Sequence, residues 1–263
     1  MPTWLSSTSP VLVERAALVI ILLVATFFRA HLFDAAPPGL QHDEIFGANF
    51  AQEVLDGRWP VFFDPNGGEE ALFPYLAALS ILLLGHNFAA LRMVSFVCGI
   101  LSLALGYTLT RFLWGRRVAL LTTALLAVSF WHIFDSRVAL RPITLLMMAL
   151  AAFYFFWLGL RRGGIAPFAL AGVFLGGSFY TYTSGFLVPV TVVLFVVLYL
   201  LPFHRQLLVE RWRGVVLALA VALLIFVPMA YHVYTHPLAS TARARDLGDH
   251  LGLLLVGQPG PIA

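Results

Sequence analysis

Hydrophobic positions along this chain run in long blocks, and the polar positions gather between them. A block of about 20 apolar residues is what a helix needs to cross the hydrocarbon core, whereas one of about 10 to 14 suits a helix lying in the interface. Seven blocks approach the first length, at 12–33, 90–112, 118–135, 143–160, 165–182, 185–202 and 214–234. An eighth, "ALFPYLAALSILLLG" at 71–85, is shorter. Pro74 suits its first turn and Gly85 its stop, which leaves a helix of roughly 14 residues, about 21 Å long. This predicts an interfacial helix. Between 44 and 56 a different pattern appears, with Phe46, Phe50 and Val54 recurring every four residues beside Gly47, Ala51 and Leu55, and with Asn49, Gln52, Glu53 and Asp56 opposite. That spacing predicts an amphipathic helix lying on the bilayer and ending at Gly57.

The arginines choose between the two span counts. If 71–85 is interfacial, Arg111/Arg116/Arg117, Arg161/Arg162 and Arg205/Arg211/Arg213 all fall on the side of Arg15, which the positive-inside rule makes the cytoplasm. If it spans, all three groups move to the side opposite Arg15. The pattern therefore predicts an all-α, polytopic transmembrane bundle of about seven spans. Its N-terminus is cytoplasmic, and two interfacial helices lie in a first extracytoplasmic loop at 34–89. The first block has Arg29, His31 and Phe33 where a signal peptide needs small residues, so it reads as an anchor.

Composition agrees. Of the 263 residues, 60% are hydrophobic and 11% charged, with a mean hydropathy of +0.90, which leaves too little polar surface for a soluble domain. All 16 strongly basic residues are Arg, and they lie between apolar blocks rather than along an aromatic-rich stripe, so the net charge of +3 reports topology and not nucleic-acid binding. Cys98 is the only cysteine and can form no internal disulfide. No carboxylate falls mid-span, and neither an internal repeat nor a phosphate-cradling glycine loop is present, so an intramembrane ion relay and a nucleotide site lose support.

Candidate chemistry lies in the outside segments. In "GLQHDEIFGANFAQEVLDG", Asp43 is placed to cap the amphipathic helix and Glu44 to complement its dipole, roles compatible with a rigidly aimed, ionised carboxylate. In "FDPNGGEEALFPYL", Glu69 and Glu70 precede the second loop helix, so the two helix starts can converge on one polar pocket. In "WHIFDSRVALRPITLL", Asp135, Arg137 and Arg141 mark an exit loop; the two guanidiniums share a face if the stretch is helical. They would snorkel, pair with Asp135, or clamp a phosphate. His132 reads as structural. His232, His236, Arg243 and Arg245 form a looser outside cluster.

The order of these motifs, a first span, "HDE", "GGEEALFPYL" and "SRVALRPITLL", resembles that of integral-membrane glycosyltransferases of the GT-C superfold, in particular the family 39 group with its protein O-mannosyltransferases and lipid A aminoarabinose transferases. The resemblance implies transfer of a sugar from a polyprenyl-phosphate carrier to an acceptor hydroxyl, with inversion, on the extracytoplasmic face of the cell membrane. It implies Asp43 as the catalytic carboxylate and matches Glu69, Glu70, Arg137 and Arg141 to the family's polar loop positions. Glu44 and His42 join these as substrate-binding candidates. Three departures stand out: Phe46 replaces an arginine of the lipid A enzymes, Glu70 a lysine and Arg141 an aspartate. The chain ends just after the seventh span, where such enzymes continue, so the expectation is a single module, 1–263, that is either a fragment or minimal. This reading requires no cofactor; a divalent metal ion is an alternative to the arginines for stabilising the phosphate, with Glu69, Glu70 and His236 as weak candidate ligands. The partners expected are the lipid-linked sugar donor, a lipid, glycan or protein acceptor, and membrane lipids, with no nucleic acid. A non-catalytic membrane carrier or an assembly scaffold explains the hydrophobicity equally well, but not the carboxylates gathered at two helix starts.

Overall fold

Backbone inside lipid finds no water to bond to and must satisfy itself, which helices do. The computed structural model describes residues 10–64 and 68–237, and it is a helical bundle. The elements are α1 (Pro10–Ala30), α2 (His42–Leu55), β1 (Phe62–Phe63), β2 (Glu69–Glu70), α3 (Leu72–Leu84), α4 (Phe88–Trp114), α5 (Arg116–Val128), α6 (Phe130–Asp135), α7 (Pro142–Arg162) and α8 (Ile165–Ser178), followed by a 3₁₀ turn (Thr183–Phe186), α9 (Leu187–Phe195), a π-helical turn (Val196–Leu200), α10 (Leu201–Phe203) and α11 (Arg205–Thr235). The only strands among the described residues are the antiparallel pair β1 and β2, in which Phe62 faces Glu70 and Phe63 faces Glu69.

Five helical stretches are long and apolar enough to cross a membrane: Val11–Ala30, Phe88–Trp114, Pro142–Arg162, Thr183–Phe203 and Arg205–Thr235. The other two predicted spans differ from expectation. The block at 118–135 breaks at Ser129, where an extended backbone (ψ 125°) separates α5 from α6. The block at 165–182 yields only the 14 residues of α8. Contacts nevertheless carry the chain seven times between two ends of the bundle. Glu14 near the start of α1 meets Arg111 near the end of α4, defining an arginine end. The far end of α1 meets Arg137, α6 leads into that same loop, and residues after α8 reach Glu70, defining a polar end. Near the close of α11, His232 returns to Phe62 at that polar end.

The helix α3 does not make the passage. Ser80 donates to the carbonyl of Ala90 at 2.5 Å, and Arg92, two residues on, is already back at the polar end. Length alone cannot separate α3 (13 residues) from α8 (14 residues), but their surroundings do. α3 exposes Leu79, Leu82, Leu83 and Leu84, while α8 is packed between α7 and α11. Two glycines four apart set that packing. A Cβ on Gly172 would lie 2.5 Å from the carbonyl oxygen of Ala218, and one on Gly176 would lie 2.7 Å from Cβ of Ile225. Only hydrogen at these positions lets α11 approach, the small-residue spacing that membrane helices use for contact.

At the polar end, Phe50 of α2, Phe63 of β1, Phe73 of α3, Leu91 of α4 and Ile143 of α7 share one buried core. The rings of Phe50 and Phe63 stack at 4.6 Å. Each such side chain contributes roughly 1.5 to 3 kcal/mol on burial, so this core fixes the loop helices onto the bundle and places the polar residues beside them.

Candidate active site

α2 begins two residues earlier than its pattern suggests, with Gln41 as N-cap and His42 as first residue. The cap expected of Asp43 falls instead to Glu44, whose Oε2 accepts the backbone N–H of Gln41 at 2.9 Å. Freed from that duty, Asp43 keeps its side chain 63% exposed, with His42 Nδ1 3.6 Å away. It lines a cavity of about 260 Å³ together with Glu69, Phe73, Arg141 and Tyr182.

Arg141 is the cation of that cavity. Its Nη1 donates to Oε2 of Glu70, its Nε lies 3.5 Å from Oε2 of Glu69, and its guanidinium sits 5.5 Å from the ring centre of Tyr182. Oε1 of Glu70 accepts from the hydroxyl of Thr183 at 3.0 Å. The expected helix-start position of Glu69 and Glu70 is not what forms. They lie in β2, one residue before the N-cap Ala71, where the pairing with β1 holds both against Arg141. Nη2 of Arg141 has no hydrogen-bond partner among the described residues, so Nη1 is committed to Glu70, Nε faces Glu69, and Nη2 is available.

Two residues grouped with these in sequence stand apart from the cavity. Glu44 is 0% exposed, and its carboxylate holds Arg92, itself 1% exposed, through Nε at 2.9 Å and Nη2 at 3.1 Å. Arg92 also donates to the carbonyls of Pro37 and Gly39, and Oε1 of Glu44 accepts the N–H of Ala139 at 2.9 Å. Burial pushes the Glu44 carboxyl upward. Arg92 and the two backbone N–H groups outweigh it and hold the group below its ordinary value. Glu44 is therefore a buried clamp away from the cavity: one carboxylate ties the start of α2, the start of α4 and the loop carrying Arg141.

Arg137 likewise turns away. Its Nη1 donates to the carbonyls of Phe28 and Arg29, and its Nη2 to those of Leu32 and Ala36, so it caps the end of α1. Burial, with the charge of Arg92 nearby, lowers its pKa. The paired arginine clamp is not assembled; Arg141 alone reaches the cavity. Asp135 forms no ion pair with either arginine among the described residues. Beneath this loop, buried Arg29 donates to Ser136 Oγ at 3.3 Å and to His132 Nδ1 at 2.8 Å. A histidine accepting at Nδ1 carries its proton on Nε2, which then donates to Ser102 Oγ at 2.9 Å, so His132 is structural as its sequence position suggests.

His236 stacks on His232 at 4.7 Å and does not line the cavity. Among the described residues no group of three or more His, Cys, Asp or Glu is gathered closely enough to hold a metal ion, and Glu69 and Glu70 face Arg141. Arg243 and Arg245 lie outside the described residues.

Sequence reasoning passes over Arg92, Tyr182 and Thr183. Arg92 carries a signal, since an arginine just inside an apolar span requires a partner. Tyr182 and Thr183 carry none beyond closing the block at 165–182.

Residues 71–232 match the model of a family described as dolichyl-phosphate-mannose-protein mannosyltransferase. The match takes in Arg141, Tyr182 and Thr183 and begins just after Glu70, so α2 with Asp43 lies before it. No curated protein sequence matches the chain.

Proposed function

The chain belongs to the dolichyl-phosphate-mannose-protein mannosyltransferase family, a family of membrane glycosyltransferases, and from that premise we propose that it transfers a sugar from a polyprenyl-phosphate carrier to an acceptor hydroxyl, with inversion. The observation that carries this reading is the shared cavity: Asp43, Glu69 and Arg141 converge on about 260 Å³ at the polar end of a membrane bundle. Beside it, α3, α4 and α7 leave an apolar groove of about 450 Å³, lined by Leu76, Leu83, Val97 and Met147, that suits an isoprenoid chain.

In the proposed step the acceptor oxygen attacks the anomeric carbon as the carbon–oxygen bond to the carrier phosphate breaks. A single displacement inverts that carbon. The acceptor's proton passes to Asp43, and the bond's electron pair leaves on the phosphate. Phosphate already leaves well, so the protein has two tasks. A positioned carboxylate as general base contributes about 10² to 10⁴-fold. The available Nη2 of Arg141 donates to a phosphate oxygen, while Glu69 and Glu70 fix that guanidinium in place. Glu69 also lines the cavity, where its carboxylate accepts from sugar hydroxyls. All seven passes are proposed to cross the cell membrane with the arginine end cytoplasmic and the cavity outside, as the arginine distribution favours.

Asp43→Asn tests the assignment. Gln41 and Glu44 cap α2, so the change leaves the helix start intact while removing the base. Transfer by the full chain in reconstituted membranes is expected to fall by about two orders of magnitude or more, with carrier binding and thermal midpoint little changed. Near-normal turnover removes Asp43 from the chemistry. A carrier or scaffold protein would show no loss of function in this variant.

A further inference from the structure

A larger cavity lies at the other end of α7. About 510 Å³ in volume, it is lined by the last turns of α4 (Leu113, Trp114), the last turns of α7 (Phe156, Trp157, Arg161) and by Tyr199 of the π-helical turn. Arg161 is 19 residues beyond Pro142 at the cavity of Asp43, about 29 Å along the helix, which is the thickness of a bilayer's hydrocarbon core. The two cavities therefore sit at opposite faces.

We infer that this second cavity is a binding site for an anionic phospholipid of the leaflet at the arginine end. Its walls are aromatic and aliphatic, as an acyl chain requires, and its single charged lining residue is a cation. The guanidinium of Arg161 lies 5.4 Å from the ring centre of Trp157 and forms no ion pair among the described residues. A phospholipid matches both features: its phosphate faces Arg161, and its chain fills the aromatic wall. The flanking arginines of α4 and α5, Arg116 and Arg117 among them, add positive potential at that leaflet. No carboxylate lines the cavity to oppose an anion.

The test is native mass spectrometry of the full chain, delipidated and then titrated in detergent with dioleoyl phosphatidylglycerol or dioleoyl phosphatidylcholine. One phosphatidylglycerol should be retained preferentially. Arg161→Gln should reduce that preference by about tenfold while leaving phosphatidylcholine retention unchanged. Arg161→Lys keeps the charge and should retain most of the preference. Equal retention of the two lipids by the unsubstituted chain, or an unchanged preference in Arg161→Gln, overturns the inference. Displacement of the lipid by millimolar inorganic phosphate also overturns it, because the site would then be one for a free anion.

Discussion

Two buried arginine centres stand at the polar end, and they are built to opposite specifications. At Arg92 six hydrogen bonds consume the guanidinium and the facing carboxylate: two within the ion pair with Glu44, two to the carbonyls of Pro37 and Gly39, and two from the N–H groups of Gln41 and Ala139 to Glu44. At Arg141 two carboxylates meet Nη1 and Nε, a tyrosine ring faces the plane, and Nη2 stays uncommitted beside a cavity. A satisfied centre can only hold the fold together. An unsatisfied one, fixed by its neighbours, can bind something else. The same distinction divides Asp43 from Glu44, adjacent in sequence and opposite in exposure.

The largest effect expected from this contrast is on stability. Glu44→Gln leaves Arg92 buried without its countercharge, and removing one partner of such a pair costs about 3 to 5 kcal/mol. Unfolding in detergent should register that loss, and transfer should fall with it. A variant as stable as the parent would show that Arg92 is not the fixed centre described. Arg141→Lys should invert the pattern. A lysine preserves charge but not the fork, so transfer should drop by about ten- to a hundredfold while the unfolding midpoint moves little. Equal transfer would return the phosphate to some other group.

The smallest effect is in pH dependence. Glu44 has its carboxyl held below the ordinary value of 4.5 in the folded chain. Its stabilisation is therefore complete above the unfolded value and is lost as pH falls through the depressed folded one. Between pH 7 and pH 3 the unsubstituted chain should lose more of its thermal midpoint than Glu44→Gln does. Parallel losses in both would mean that the clamp does not depend on ionised Glu44.

How legible was this from sequence? Helix boundaries at the polar end were nearly so: the amphipathic spacing and Gly57 outline α2, and Pro74 with Gly85 outlines α3, whose C-cap glycine has φ +84°. These signals are local. The partners of charged groups are not local, and there the pattern failed. Glu44 meets Arg92 across 48 residues, and Arg137 meets the carbonyls of α1 across more than a hundred. Spacing shows that Arg137 and Arg141 are four apart, but the loop between α6 and α7 is not a helix there, so they point to different partners. The break at Ser129 has no glycine or proline to announce it. The glycines of α8 were visible as letters, but their meaning depends on α11 lying alongside, 40 to 50 residues later.

That close pairing of α8 with α11 also sets a depth. Gly176, near the end of α8, lies beside Ile225, and α11 continues ten residues further to Thr235, a rise of about 15 Å. Tyr182, which lines the cavity, follows only a few residues after Gly176, so that wall of the cavity lies below the last turns of α11. The cavity is a recess rather than a surface patch, and whatever occupies it is held among side chains on several sides.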